Sequence, residues 1–159
     1  MGGGEAVSDP PYWNTKVPVS RSMVSIQKLV EKFGAQEYGF RTTLKGDNPT
    51  IDVGFVYKDK PVRLTVKVRQ VAEVYLDLHP NANHGTVYDK APRVAMRILH
   101  DQIKAILIAV DCGLVDFETA FMPHFITRTG RTLAEETIPR FDRVLSQPSL
   151  LLGSGKEGP

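Results

Sequence analysis

Three short segments of alternating apolar and polar residues, separated by turn-forming residues, constrain the fold of this chain more than any other feature. Their inward-facing positions are Tyr38, Phe40, Thr42 and Leu44; Ile51, Val53, Phe55 and Tyr57; and Val62, Leu64, Val66 and Val68. Successive side chains of a strand point to opposite faces, so each segment predicts a half-buried strand. The connections at 45–49 and 58–60 are too short for a crossover. The sequence therefore predicts an antiparallel meander with one face on the core.

Helical periodicity flanks this predicted sheet on both sides. A first helix precedes it, and its cap, apolar face and stop are Ser20 or Ser22, then Ile26, Leu29, Val30, Phe33 and Gly34. A longer helix is predicted after the sheet, from Asp89 or Pro92 to Cys112, with Gly113 as its stop. Residues 105–110 contain no polar side chain, so we expect the second half of this helix to be buried on every side.

Two further segments have weaker patterns. Apolar residues alternate with polar ones from Trp13 to Val19, and Pro18 lacks a backbone N–H, so an edge strand is predicted there. Residues 71–78 fit either an extension of the third strand or a short helix, and 79–85 are predicted to be a loop.

Capping signals organise the C-terminal third. Asp116 is predicted to cap a short helix that ends at Pro123, and residues 124–129 are predicted to be extended. Thr132 and Glu135 form a capping box, which opens a final helix, and Pro139 predicts a kink or break in it. The residues of this helix that we expect to point inward are Ala134, Ile138, Phe141 and Leu145.

Together these segments predict one α+β domain over residues 12–147. It would hold an antiparallel sheet of three to four strands with one face packed by helices, and a helical C-terminal half. A chain of 159 residues with 42% hydrophobic residues can build such a core without disulfides or metal. Residues 1–11 and 148–159 are rich in glycine and proline, which predicts flexible tails.

The compartment follows from the cysteine content and the hydropathy pattern. Cys112 is the only cysteine, so an internal disulfide cannot form and a reducing compartment is favoured. The longest apolar run, at 105–110, is far shorter than a bilayer crossing, and the first residues lack the pattern of a secretory signal. The sequence therefore predicts a cytoplasmic protein without a membrane partner.

Several motifs together resemble small uncharacterised proteins encoded by tailed bacteriophages and prophages. They are the 19–22 and 26–29 segments of the first helix with Phe33-Gly34-Ala35, the 93–97 helix segment, and 117–123 followed by Gly130-Arg131-Thr132. The resemblance covers roughly residues 15–150, the extent of one domain. Such proteins are often encoded among early, replication-associated genes. The resemblance implies that context, and the cytoplasm of the host cell, but no catalytic residue.

Chemically suggestive residues do not assemble into a catalytic motif. His79 and His84 lie near Asp77 and Asp89, but no third ligand has a recognisable spacing, so no metal site is predicted. Cys112 ends an apolar helix, where a thiol is usually an inert small hydrophobe. The acidic residues Glu118 and Glu135 are explained by their helix starts, and no glycine-rich phosphate loop is present. The sequence predicts no cofactor, and a non-enzymatic function is favoured.

The free face of the predicted sheet is the remaining candidate site. If the apolar residues of the third strand point inward, its cations must point outward, where Arg41 of the first strand joins them. Residues of the next helix would lie at the rim. The candidate nucleic-acid-binding residues are Arg41, Arg63, Lys67, Arg69, Arg93 and Arg97. Such a surface can contact phosphates without reading sequence, although a merely solvated face would have the same composition.

These observations lead to two principal functional hypotheses, with a metal-dependent enzyme that uses the loop at 77–89 as a third. The first is a non-enzymatic accessory protein that associates with DNA or RNA through the backbone, during replication, recombination or its control. The second is a protein-binding inhibitor or modulator of a host enzyme or defence system. The net charge of +2 does not by itself favour nucleic acid. A homo-oligomer is compatible with either hypothesis. The order helix, three strands, helix is also that of double-stranded-RNA-binding domains, an analogy of topology alone.

Overall fold

A computed structural model describes residues 11–43 and 46–146 of the chain. The two predicted tails lie outside the described residues, except for Pro11. The elements are α1 (Val19–Phe33), β1 (Glu37–Thr43), β2 (Thr50–Tyr57), β3 (Lys60–Lys67), α2 (Val68–Leu78), α3 (His84–Asp111), α4 (Phe117–Phe121), a 3₁₀ turn (Met122–His124), α5 (Leu133–Thr137), a second 3₁₀ turn (Ile138–Arg140) and α6 (Phe141–Val144). The predicted α+β class, with its antiparallel sheet and helical C-terminal half, is confirmed.

The sheet is an antiparallel meander in the order β1, β2, β3, as predicted. A two-residue turn joins β2 to β3. Lys58 and Asp59 adopt left-handed φ angles of 48° and 64°, the geometry that lets the right-handed twist continue through a tight hairpin. The third strand ends one residue early, because Val68 begins α2 and turns the chain away from the sheet. The expectation that Val68 and Arg69 extend the strand is therefore wrong.

The core lies between the inner face of the sheet and a layer of helices. Ile51, Val53 and Phe55 of β2 are buried on that face, and α3 runs between α1 and α2, contacting both. Pairs of apolar residues from α1 and α3, such as Ile26 and Ile103, are fully buried. One face of the sheet is thus covered by helices, as the alternation predicted.

Helix α3 begins eight residues before Pro92, because Asn83 caps it by accepting a hydrogen bond from the Thr86 backbone N–H. It stops as predicted, at Asp111, with Gly113 in the left-handed region at a φ of 75°. Its second half is not buried on every side, since Ile108 is 51% exposed. Leu107 of the same turn is buried, so this half of the helix has one face on the core and one face in solvent.

The predicted strand from Trp13 to Val19 does not form. Residues 11–14 make a turn, and the Trp13 ring stacks on Tyr75 of α2 with centroids 3.7 Å apart and planes 7° apart. Beside it, the Arg97 guanidinium lies 5.6 Å from the Tyr12 ring. Burial of a large aromatic ring against the helices outweighs strand pairing here.

The C-terminal predictions have mixed outcomes. Asp116 caps α4, the Thr132 and Glu135 capping box opens α5, and the helix breaks at Pro139. However, Ile138, Phe141 and Leu145 are exposed, so the expectation that they point inward is wrong. The break at Pro139 turns this face away from the core. In the segment predicted to be extended, Phe125 pairs with Val62 of β3.

Candidate functional site

The six predicted cations do not share one surface. By the register of the sheet, Arg41 lies opposite Asp52, Arg63 opposite Gly54, and Lys67 opposite Thr50, which places all three on the outer face. Arg69 lies in the first turn of α2 instead. Arg93 and Arg97 lie on α3, the helix that covers the inner face. Arg93 and Arg97, which were predicted to lie at the rim of the outer face, are therefore on the opposite side of the sheet.

Most of these cations already have partners. Arg41 donates to Asp52 Oδ2 from Nε at 2.9 Å and from Nη2 at 2.6 Å. The remaining pairs are Arg63 with the Gly130 carbonyl at 3.1 Å and Glu135 at 3.4 Å, and Arg69 with Glu73 at 2.8 Å. Hydrogen bonding to Glu73 raises the pKa of Arg69. Such pairing reduces the positive potential that a phosphate would meet.

Lys67 differs from these arginines. It is exposed, and within the described part of the chain no carboxylate lies within ion-pair distance of it. Arg93 is half-buried, and its Nε has no hydrogen-bond partner among the described residues. The available positive charge on the outer face therefore concentrates at the end of β3.

The backbone of β3 leaves part of one sheet edge open. The hairpin register directs the backbone groups of residues 60, 62, 64 and 66 toward β2, so those of Pro61, Arg63, Thr65 and Lys67 point away from the sheet. The Pro61 carbonyl accepts a hydrogen bond from the Ile126 N–H at 2.9 Å. Further along, neither the N–H nor the carbonyl of Thr65 has a hydrogen-bond partner among the described residues.

A groove of about 480 Å³ runs beside this open edge. Its floor is α3 and its far wall is α2, which contribute Ile98, Leu99, Val71 and Val74. Val74 is 56% exposed and Ile98 36% exposed, so apolar surface faces solvent along the groove.

Few charged side chains line this groove. Lys67 lines one side and His124 closes one end, and the other polar lining residues are uncharged. Burial lowers the pKa of His124, which leaves its ring neutral at neutral pH. Among the described residues that line the groove, Lys67 is therefore the one that carries a full charge. Along the groove, the protein therefore presents backbone hydrogen-bonding groups, apolar side chains and one cation.

Strand β1 forms the other edge of the sheet, but its surroundings differ. All of its residues except Phe40 are exposed, and the helix-lined cleft of about 630 Å³ beside Val19 and Tyr88 includes only Thr42 of this strand. A strand added along β1 would therefore meet helix side chains mainly at the Thr42 end, whereas one added at β3 would follow the groove from Leu64 to Lys67.

The residues considered for metal binding and catalysis have other roles. His84 is the first residue of α3 and His79 follows α2, and no group of three or more potential ligands clusters anywhere in the described residues. Glu118 pairs with Lys60 at 3.3 Å, and Glu135 serves the capping box and Arg63. Cys112, interpreted from the sequence as an inert small hydrophobe, is exposed to solvent.

The groove was not predicted from the sequence. Its members come from β3, α2 and α3, and only the turn of the chain at Val68 brings α2 alongside the strand. One signal was present: residues 71–78 fit a helix, and a helix there places Val71 and Val74 on neighbouring turns.

Neither a family model, nor a curated protein, nor a solved structure matches this chain. Among the described residues, no helix combines the length and apolar character that crossing a membrane requires.

Proposed function

We propose that this chain is an accessory protein that binds another protein at the open edge of β3, where an extended segment of the partner adds a strand to the sheet. The observation that carries the proposal is the coincidence of unpaired Thr65 backbone groups with an apolar groove of about 480 Å³. Strand addition uses this combination, because main-chain hydrogen bonds supply affinity and alternate side chains supply specificity.

The chain itself already uses the same edge. Phe125 pairs antiparallel with Val62, and Ile126 donates to Pro61, so a short segment occupies the first part of the edge. A partner strand would continue along β3 from that point, past Thr65 to Lys67. Exposed edges are usually blocked by charge, proline or a covering segment. Here the first part of the edge is covered, and Lys67 marks the end of the open part.

The shape and charge of the groove support a particular pattern in the partner sequence. Alternate side chains of an added strand would point toward α2 and α3, where Val74 and Ile98 are exposed. The intervening side chain would point to the outer face, next to Lys67. The groove therefore favours an extended segment with the pattern apolar, acidic, apolar. The proposal therefore agrees with the second hypothesis from the sequence, a protein that acts by binding another protein.

The test is a selection of random nine-residue peptides displayed against the full chain, followed by titration of synthetic peptides. We expect enrichment of the apolar, acidic, apolar pattern and slower amide exchange at Thr65 in the complex. Ile98→Glu should abolish binding. Ile108→Glu is the matched control, because Ile108 lies on the same helix, is also exposed and does not line the groove.

Two results would contradict the proposal. One is a selection that enriches no peptide of this pattern. The other is equal binding by Ile98→Glu and the parent protein, with both variants folded by circular dichroism. Protection at the amides of β1 instead of Thr65 would assign strand addition to the opposite edge, and would also reject the proposed site.

A further inference from the structure

A second cleft, separate from the groove beside β3, lies on the outer face of the sheet. It is a shallow cleft of about 430 Å³ that is open to solvent, and its floor is the cross-strand pair Gly39 and Gly54. Because neither residue has a side chain, the backbone of two neighbouring strands is directly accessible there. The floor is a flat patch of peptide planes on an otherwise side-chain-covered face.

Local structure does not require glycine at either position. Neither residue has a left-handed φ, unlike Gly34, Gly113 and Gly130. A Cβ atom at Gly39 would meet no atom within 4 Å, and one at Gly54 would lie 3.5 Å from the Val62 carbonyl oxygen, an ordinary contact. Glycine inside a strand weakens it, and where no turn or bulge explains it, it often marks the close approach of a ligand.

Beside this floor, Arg41 lies opposite Asp52 and is held in a fixed orientation. Asp52 is buried, and it accepts hydrogen bonds from Thr65 Oγ1 at 2.7 Å and from Nε and Nη2 of Arg41. The carboxylate thereby fixes the guanidinium, while the Arg41 side chain stays 69% exposed. Nη1 of Arg41 has no hydrogen-bond partner among the described residues. Asp52 offsets part of the positive charge, but the Nη1 amino group keeps a fixed direction in which it can donate to the carboxylate of a small ligand.

The other end of the cleft has a different chemistry. Val56, Pro61 and Ile126 form an apolar wall, and Glu37 stands on the same strand as Arg41, four residues away. At about 3.3 Å per residue the two charged residues are separated by about 13 Å along the strand. Both side chains can lean over a ring that rests on the glycine floor between them.

From this arrangement we propose that the cleft binds a small planar aromatic carboxylate. The ring would stack on the peptide planes of Gly39 and Gly54 with its edge against the apolar wall. Its carboxylate would accept from Arg41, and a hydrogen-bond donor at the opposite end of the ring would contact Glu37. This site differs from the strand-addition site at β3, because no residue lines both the cleft and the groove; only Thr65 connects them, through its hydrogen bond to Asp52.

The proposal is tested with 4-aminobenzoate, which carries a carboxylate and a donor at opposite ends of one ring. Titration of the full chain should give saturable shifts of the Gly39 and Gly54 amide resonances, with a dissociation constant on the order of 1 mM for a ligand of about ten non-hydrogen atoms. The neutral analogue 4-aminobenzamide should bind at least about tenfold more weakly, since it loses the charge-assisted contact to Arg41.

Gly39→Val fills the floor and is the decisive variant. Its Tm should equal or exceed that of the parent, because a β-branched residue favours a strand and meets open space, while the shifts with 4-aminobenzoate should disappear. Thr43→Val is the matched control on the same strand and face, outside the cleft, and should bind normally.

Three outcomes would overturn the proposal. They are the absence of shifts at the two glycine amides, undiminished binding by Gly39→Val, and a lower Tm in that variant. The last would show that the strand itself requires glycine, so that the open floor is a consequence of folding.

Discussion

Replacing Ile103 by alanine tests how the helical layer is held to the sheet. Ile103 is 0% exposed in the second half of α3, and the change removes three buried carbon atoms. At about 0.8 kcal/mol for each buried methylene-sized group, the transfer contribution is about 2.4 kcal/mol. The cavity left behind adds to this, because a packed core relaxes only in part. We therefore expect a loss of about 2.5 to 5 kcal/mol in the free energy of unfolding.

Ile108→Ala, on the same helix, supplies the internal comparison. Ile108 is 51% exposed, so about half of the transfer contribution applies, no enclosed cavity forms, and the better helix propensity of alanine offsets part of the loss. The expected loss is about 1 kcal/mol or less.

Urea unfolding followed by circular dichroism measures both losses. The slope of the free energy against urea should stay constant, so that the shift in midpoint reports stability alone. Equal losses in the two variants would refute the reasoning, because they would mean that the second half of α3 is enclosed on every side. A loss below about 1 kcal/mol for Ile103→Ala would mean that α3 is peripheral.

Three further predictions address charge, pH and backbone strain. If the outer face contacts phosphates, Lys67→Glu should weaken retention on heparin and reduce the salt slope of DNA or RNA binding by about one; absence of binding by the parent at low salt would reject the nucleic-acid hypothesis. Burial lowers the pKa of His124 in the folded protein, so the unfolded chain binds a proton on this side chain at a higher pH than the folded chain does. The free energy of unfolding should therefore fall as the pH drops below about 6.5. His124→Gln should reduce this pH dependence between pH 7.5 and 5.5 in urea titrations, and an unchanged dependence would contradict the assignment. Lys58→Asn should raise the Tm, because asparagine tolerates the left-handed φ better than lysine; a lower Tm would show that the Lys58 side chain contributes more than the turn strain removes.

The sequence by itself determined the parts of this protein that depend on neighbouring residues. Alternation of side chains defines β1, β2 and β3, and the two-residue turn at Lys58 and Asp59 makes them antiparallel. The caps at Asp116 and Thr132 and the break at Pro139 satisfy or remove backbone hydrogen bonds within a few residues. These features need no distant contact, and a close reading of the chain finds them.

Only the tertiary structure decided the features that depend on which elements meet. Whether Val68 continues a strand or starts a helix is set by packing against α3, and that choice removes Arg69 from the sheet and creates the groove. The partners of Arg63 come from more than 60 residues away in sequence. Exposure of Ile138 and Phe141 likewise depends on where the break directs the chain. Periodicity reports the face on which a side chain lies, but charge pairing and burial depend on residues that only folding brings together.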